Sequence, residues 1–149
     1  MSEITSFCIF GERVSGICFL QSLLLKNTKL KPDTSFGHKH FFPDVERISK
    51  SSTDHILFMF ITREIMDWLQ SFSRNPFHAD PSIRICSTIS KFFRLEWVAV
   101  YDGASGTSQL SRDYGTEMMH ERDPDTGKRC ENVIRMRAKK VQKVMDLQN

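Results

Sequence analysis

Two glycines, Gly11 and Gly16, stand five positions apart in "IFGERVSGIC", between a short apolar run and a leucine-rich one. A strand, then G-x-x-x-x-G, then a helix turns free backbone N–H groups toward an anion at the helix's positive end. A nucleoside triphosphatase follows the second glycine with Lys, for the outer phosphates, and Ser or Thr, for magnesium. Ile17 and Cys18 occupy those positions and supply neither group. Metal-dependent phosphoryl transfer is therefore disfavoured. Two readings stay open from the loop itself: an anion cradle that works without a metal, or a plain turn between a core strand and a core helix.

The elements around the loop alternate. "SFCIF" (residues 6–10) is short and β-prone and predicts a buried first strand. Residues 16–27 predict a helix with Ile17, Leu20, Leu23 and Leu24 on one face. "SFGHKHFF" (35–42) predicts a second strand, stopped by Pro43. "HILFMFIT" (55–62) is apolar without alternation from Ile56 to Ile61, which suits a central parallel strand covered on both faces. A helix over about 66–73 comes next.

Further along, "STISKFFRLEWVAVYDG" reads as a helix begun by Ser87 or Thr88 and finished before Gly103. A stripe of Ile134, Ala138, Val141 and Met145 marks a final helix from Cys130 onward. This order predicts an α/β fold, a parallel sheet flanked by helices in three layers, with right-handed crossovers. Ligands of such sheets bind at the carboxyl ends of the strands, where Gly11 to Gly16, Arg63 and the "HKH" segment all fall.

The segments "GERVSGICFLQSLL", "GHKHFFP" and "ITREIMDWLQSFSRNPFHA" resemble the sulfotransferase family, in particular a microbial and viral branch whose loop reads like G-E-R-x-S-G-T-N. "EWVAVYD" and "EMMHERDPDTGKRCENVIRMRAKK" are similar to that branch too, so the likeness spans most of the chain. The resemblance implies a phosphate-loop fold and sulfuryl transfer from 3′-phosphoadenosine-5′-phosphosulfate to an acceptor hydroxyl or amine, with no catalytic metal. It implies that Arg13, Val14, Ser15, Gly16, Ile17 and Cys18 hold the 5′-phosphosulfate, and that Arg63, with Ser71 eight residues later, meets the 3′-phosphate. On one straight helix that spacing separates two residues by about 12 Å, so the pair converges only if Arg63 sits in a loop and folds back. His40 corresponds to the family's base, a task that an imidazole of pKa about 6.5 suits. Lys39 could stabilise charge on the bridging oxygen; whether Lys39 or His38 points inward is left open by the alternation of a strand.

This chain departs from the family at three places. Ile17 and Cys18 replace loop hydroxyls, each worth about 1.5–3 kcal/mol when bonded to a charged group. Val14 stands where many members carry a polar or basic side chain. The chain ends after the basic helix, where members continue with another strand and a second cofactor segment, so the expected fold is incomplete. Beside the transferase reading stands an alternative, a non-enzymatic interaction module that keeps only the fold and associates with itself or a partner.

Composition limits the other classes. A chain of 149 residues, 40% hydrophobic and 26% charged, predicts a single domain burying roughly 70% of its unfolded surface. Within it, residues 1–80 form the expected cofactor-binding part and 81–149 a helical part. Cys8, Cys18, Cys86 and Cys130 lack paired spacing, which argues for free thiols rather than a zinc site or disulfide framework. His55, His78 and His120 are scattered, and no metal is expected. No signal peptide or membrane-spanning stretch is expected, and a cytoplasmic location is the expectation. Trp68, Phe72, Phe92, Phe93 and Trp97 read as core, with adenine stacking on Trp68 as the alternative. From Lys128 to Lys143 the chain carries seven basic residues against Glu131. That is the pattern of a solvated helix face, with phosphate-backbone binding as the competing reading.

Overall fold

Ser6–Gly11 (β1) is apolar and buried from Phe7 onward. The chain then forms Ile17–Asn27 (α1), a two-residue strand Lys31–Pro32 (β2), Val45–Lys50 (α2) and Ile56–Ile61 (β3). In this computed structural model, which describes residues 3–148, both neighbours of β1 run parallel to it in the order β2-β1-β3. Ser6 pairs with Lys31 on one side, and Ser6 to Gly11 pair with Ile56 to Ile61 on the other. The fold is an α/β arrangement built on a small, open, parallel sheet.

Alternation along the strands sends side chains to both faces. Phe7 and Ile9 meet Ile17, with Leu20 and Leu24 of α1 packed against them. Cys8, Phe10 and Ile56 meet Phe36 and Ile48 of α2 on the opposite face. The Asp44 side chain caps α2 by accepting the Arg47 N–H at 3.0 Å. Leu23 is exposed, so the expected stripe on α1 narrows to Ile17, Leu20 and Leu24, the positions that recur on one helical face.

The second strand lies earlier than its expected place at 35–42, and it is shorter. Beyond Lys31–Pro32, Asp33 Oδ1 accepts the Ser35 N–H at 2.8 Å, and Gly37 takes a φ of 117°. This Asx turn and left-handed glycine bend the chain before its aromatic residues can pair in a ladder. His38 to Phe41 close a further turn through Phe41 N–H and His38 O at 2.9 Å.

The described residues group into two compact units: those up to Trp68 together with those from Val141 onward, and Leu69–Lys140. The remaining helices are Ile65–Arg74 (α3), Pro81–Arg84 (α4), Ile89–Phe92 (α5) and Val133–Met145 (α6). In the second unit Phe72 is fully buried, its ring centroid 5.8 Å from that of Phe92 and 5.5 Å from that of Trp97. The expected aromatic core is present.

Two further expectations are corrected. The helix read from Ser87 or Thr88 to just before Gly103 is only α5; Thr88 caps it, with Lys91 N–H donating to its Oγ1 at 3.2 Å. The chain is extended further on, where Ala99 bridges Ala79 and Val100 bridges Glu117 in antiparallel fashion. β-Branched Val98 and Val100 favour that conformation. On α6 the buried positions are Val133, Met136 and Lys140, whereas Ala138 and Met145 are exposed. An inward lysine rotates the buried stripe away from the apolar pattern. Among the described residues no helix is long and apolar enough to cross a membrane.

Candidate anion-binding site

β1 lies between its two neighbours, and the chain leaves it toward β2 before reaching β3 on the other side. It is therefore the switch point of the sheet, and the loop at its carboxyl end opens where open α/β sheets receive ligands. Gly11 is required there by space. A Cβ on it would stand 2.4 Å from the Ile61 carbonyl oxygen of β3.

The loop then takes two left-handed residues in alternation, Val14 at φ 56° and Gly16 at φ 96°. Glycine adopts this region readily; a β-branched valine is a rare and strained occupant, at a cost of about 1–2 kcal/mol. Three carbonyls of the loop are taken by side chains. Ser15 Oγ donates to Glu12 O at 2.5 Å, Trp68 Nε1 donates to Arg13 O at 2.9 Å, and Arg63 Nη1 approaches Val14 O at 3.5 Å. Such a left-handed alternation curls successive amides into a concavity that suits an anion. Gly16 is the N-cap of α1 and offers no side-chain cap, so the first helical amides, from Ile17 to Phe19, have no partner within the helix.

The expected site residues lie as follows. Arg63 is exposed in the loop between β3 and α3 and folds back toward Val14, and its own N–H lies 3.5 Å from Glu12 Oε2. Lys39 is tied to the end of β1, where its carbonyl accepts the Gly11 N–H at 2.9 Å. Its Nζ reaches Cys18 Sγ on the first turn of α1 at 3.2 Å. His40 follows, partly buried, with its ring centroid 5.4 Å from that of His38. Loops after all three strands thus meet around residues 11–18. Arg13 itself is buried, so the loop presents its backbone rather than that guanidinium to solvent. Ser71 lies in α3, within the second unit.

Sequence reasoning missed two supports of this loop. Glu12 is buried and faces the Arg63 amide. Trp68 is core, as its spacing from Phe72 implies, but its indole N–H also holds the Arg13 carbonyl. Nothing in the sequence marks a contact across 55 positions.

The second unit is rich in charge that closes on itself. Lys140 Nζ bonds Glu121 Oε1 at 2.9 Å, both side chains almost fully buried, and Trp97 Nε1 donates to Glu121 Oε2 at 3.3 Å. Glu117 accepts from both Arg122 and Arg129, which hold its carboxyl down to about 2. Asp102 binds Arg84 and His78. Burial pushes its carboxyl up, but the hydrogen bonds from Arg84 and His78 outweigh that and leave it below the usual range. Lys139 pairs with Asp123. Several cations of the basic segment are thus occupied internally. Among the described residues no group of three or more His, Cys, Asp or Glu could hold a metal ion, and all four cysteines are free thiols.

Fold and site together define a class: a parallel α/β unit with a strained, glycine-bounded loop at its switch point. No family model matches the chain, and neither a curated protein nor a solved structure matches it.

Proposed function

We propose that the loop from Gly11 to Cys18 binds the 5′-phosphosulfate of 3′-phosphoadenosine-5′-phosphosulfate and that the chain transfers the sulfuryl group to an acceptor hydroxyl or amine. The observation that carries this reading is the left-handed Val14 beside the left-handed Gly16 at the uncapped start of α1. Strain of this kind persists where surrounding structure over-determines it, and functional sites are where it clusters. A plain turn has no need of it.

In this reading the loop amides meet the 5′ end, and Arg63 meets the 3′-phosphate. A guanidinium suits that second task because its fork of donors matches phosphate oxygens. The donor supplies a sulfuryl group already activated by its phosphate, so no metal is needed to generate a nucleophile. His40 takes the proton from the acceptor, and the Lys39 ammonium offsets negative charge at the leaving oxygen. The fit rests on backbone donors, since Ile17 and Cys18 bring no hydroxyl and the Ser15 hydroxyl is turned onto Glu12 O.

Titration with 3′-phosphoadenosine-5′-phosphate and, separately, with adenosine 5′-monophosphate tests the reading. The first is expected to bind at least about tenfold tighter, a difference of about 1.4 kcal/mol from the added phosphate contact. Equal affinity contradicts the role of Arg63. No binding of either by the folded protein leaves the alternative, a domain that keeps the fold without the site. Given an accepted substrate, His40→Ala should lower turnover far more than donor affinity.

A further inference from the structure

We infer that Cys18 and Lys39 form a peroxide-sensitive covalent switch, closing into a sulfenamide across the mouth of the loop. Both partners are anchored through their backbones. Cys18 stands on the first turn of α1, and the Lys39 carbonyl holds the Gly11 amide at 2.9 Å. Their side chains meet at 3.2 Å between Nζ and Sγ, so a bond needs little further movement. Cys18 is exposed, which gives a small oxidant access. The other thiols are set apart. Burial pushes Cys8 up to about 11, with Asp33 adding to it, and burial also raises Cys130. Cys86 is half-buried and faces the Ser82 carbonyl at 3.8 Å.

The chemistry has two steps. The Cys18 thiolate attacks one oxygen of hydrogen peroxide, the O–O bond breaks, and sulfenic acid forms. Hydroxide leaves and takes a proton from the Lys39 ammonium, giving water and the free amine. Sulfenic acids condense with thiols and with backbone nitrogen, and here the nitrogen at the sulfur is Lys39 Nζ, 3.2 Å away. The Lys39 amine then attacks the sulfur, the S–O bond breaks, and an S–N bond forms as water departs with the nitrogen's proton. Sulfur has lost two electrons, and peroxide has accepted them. Two equivalents of an external thiol reverse the change, restoring Cys18 and Lys39 and leaving one disulfide of the reductant. The closed form removes the Lys39 charge and ties the loop to the segment after β2. This inference stands on the pair's geometry and holds whether or not a nucleotide occupies the loop.

The test is intact-mass analysis and peptide mapping of the full chain after mild peroxide treatment, under non-reducing conditions. The expected product has lost two hydrogens and yields a peptide joining Cys18 to Lys39, and dithiothreitol returns it to the starting mass. Lys39→Arg keeps the positive charge but lacks the amine, so the joined peptide should fall by about tenfold or more while a sulfenic-acid trap labels Cys18. Cys18→Ser should abolish both signals. Irreversible addition of two or three oxygens at Cys18 with no joined peptide would overturn the proposal. So would preferential oxidation of Cys86, or an unaltered joined product in Lys39→Arg.

Discussion

The loop after β1 and the charged segment from Glu117 to Lys140 both concentrate polar groups, but they dispose of them in opposite ways. In the charged segment three carboxylates are held by cations or an indole N–H. Glu117 has Arg122 and Arg129, Glu121 has Lys140 and Trp97, and Asp123 has Lys139. Charges cancelled at contact distance project little field into salt solution. In the loop, side chains instead consume the carbonyls of Glu12, Arg13 and Val14, and the first amides of α1 have no partner within the helix. The region with many formal charges spends them internally; the loop keeps aligned backbone donors, and the proposed anion site rests on those.

Breaking the scaffold should produce the largest effect. Lys140→Ala leaves Glu121 buried without its cation, and denaturant unfolding should show a loss of about 3–5 kcal/mol. Replacing both partners, as Lys140→Met with Glu121→Gln, should recover most of it; a double variant as unstable as Lys140→Ala would mean that the pair is more than mutual compensation.

Next comes Glu117→Gln, which removes a carboxylate held between two guanidinium groups and should cost about 1–3 kcal/mol. The same site sets a pH dependence. The carboxyl titrates near 4.5 when unfolded and about 2 when folded, so unfolding takes up a proton between those values. Its contribution is whole above about pH 4.5 and drains as pH falls toward 2. Acid titration of stability should be shallower in Glu117→Gln over that window, and an identical slope would remove Glu117 from the account.

The loop should respond least in stability and in the opposite direction. Val14→Gly relieves a left-handed valine worth about 1–2 kcal/mol, less about 0.5–1 kcal/mol for glycine's added freedom when unfolded. A net gain of up to about 1.5 kcal/mol is expected in thermal or chemical unfolding. A loss on Val14→Gly would mean that the strain at Val14 is smaller than the entropy cost of glycine.

How much of this was legible follows from the range of each interaction. β1, α1 and β3 were read at nearly their observed bounds because apolar runs and helical spacing are local signals, and each is reinforced by burial on the sheet. The strand read over 35–42 failed because the Asx turn at Asp33 and the left-handed Gly37 override an aromatic-rich pattern. The long helix from Ser87 failed where Ala99 and Val100 enter bridges to Ala79 and Glu117, partners remote in sequence. At the site, the glycine spacing was readable and so was the position of Arg63 after a strand. The Trp68 bond to Arg13 O, the inward Glu12 and the Lys39 contact with Cys18 were not, since each joins residues that only the fold brings together. On α6 the burial of Lys140 could not be inferred without knowing that Glu121 would meet it.

Isothermal titration of 3′-phosphoadenosine-5′-phosphate into the wild-type chain and into Arg63→Ala tests the central claim most directly. Saturable binding that Arg63→Ala weakens by about tenfold or more is expected, from the loss of charged hydrogen bonds. No binding heat in the folded wild-type chain, or an affinity indifferent to Arg63→Ala, would contradict a shared nucleotide site at the β1 and β3 loops.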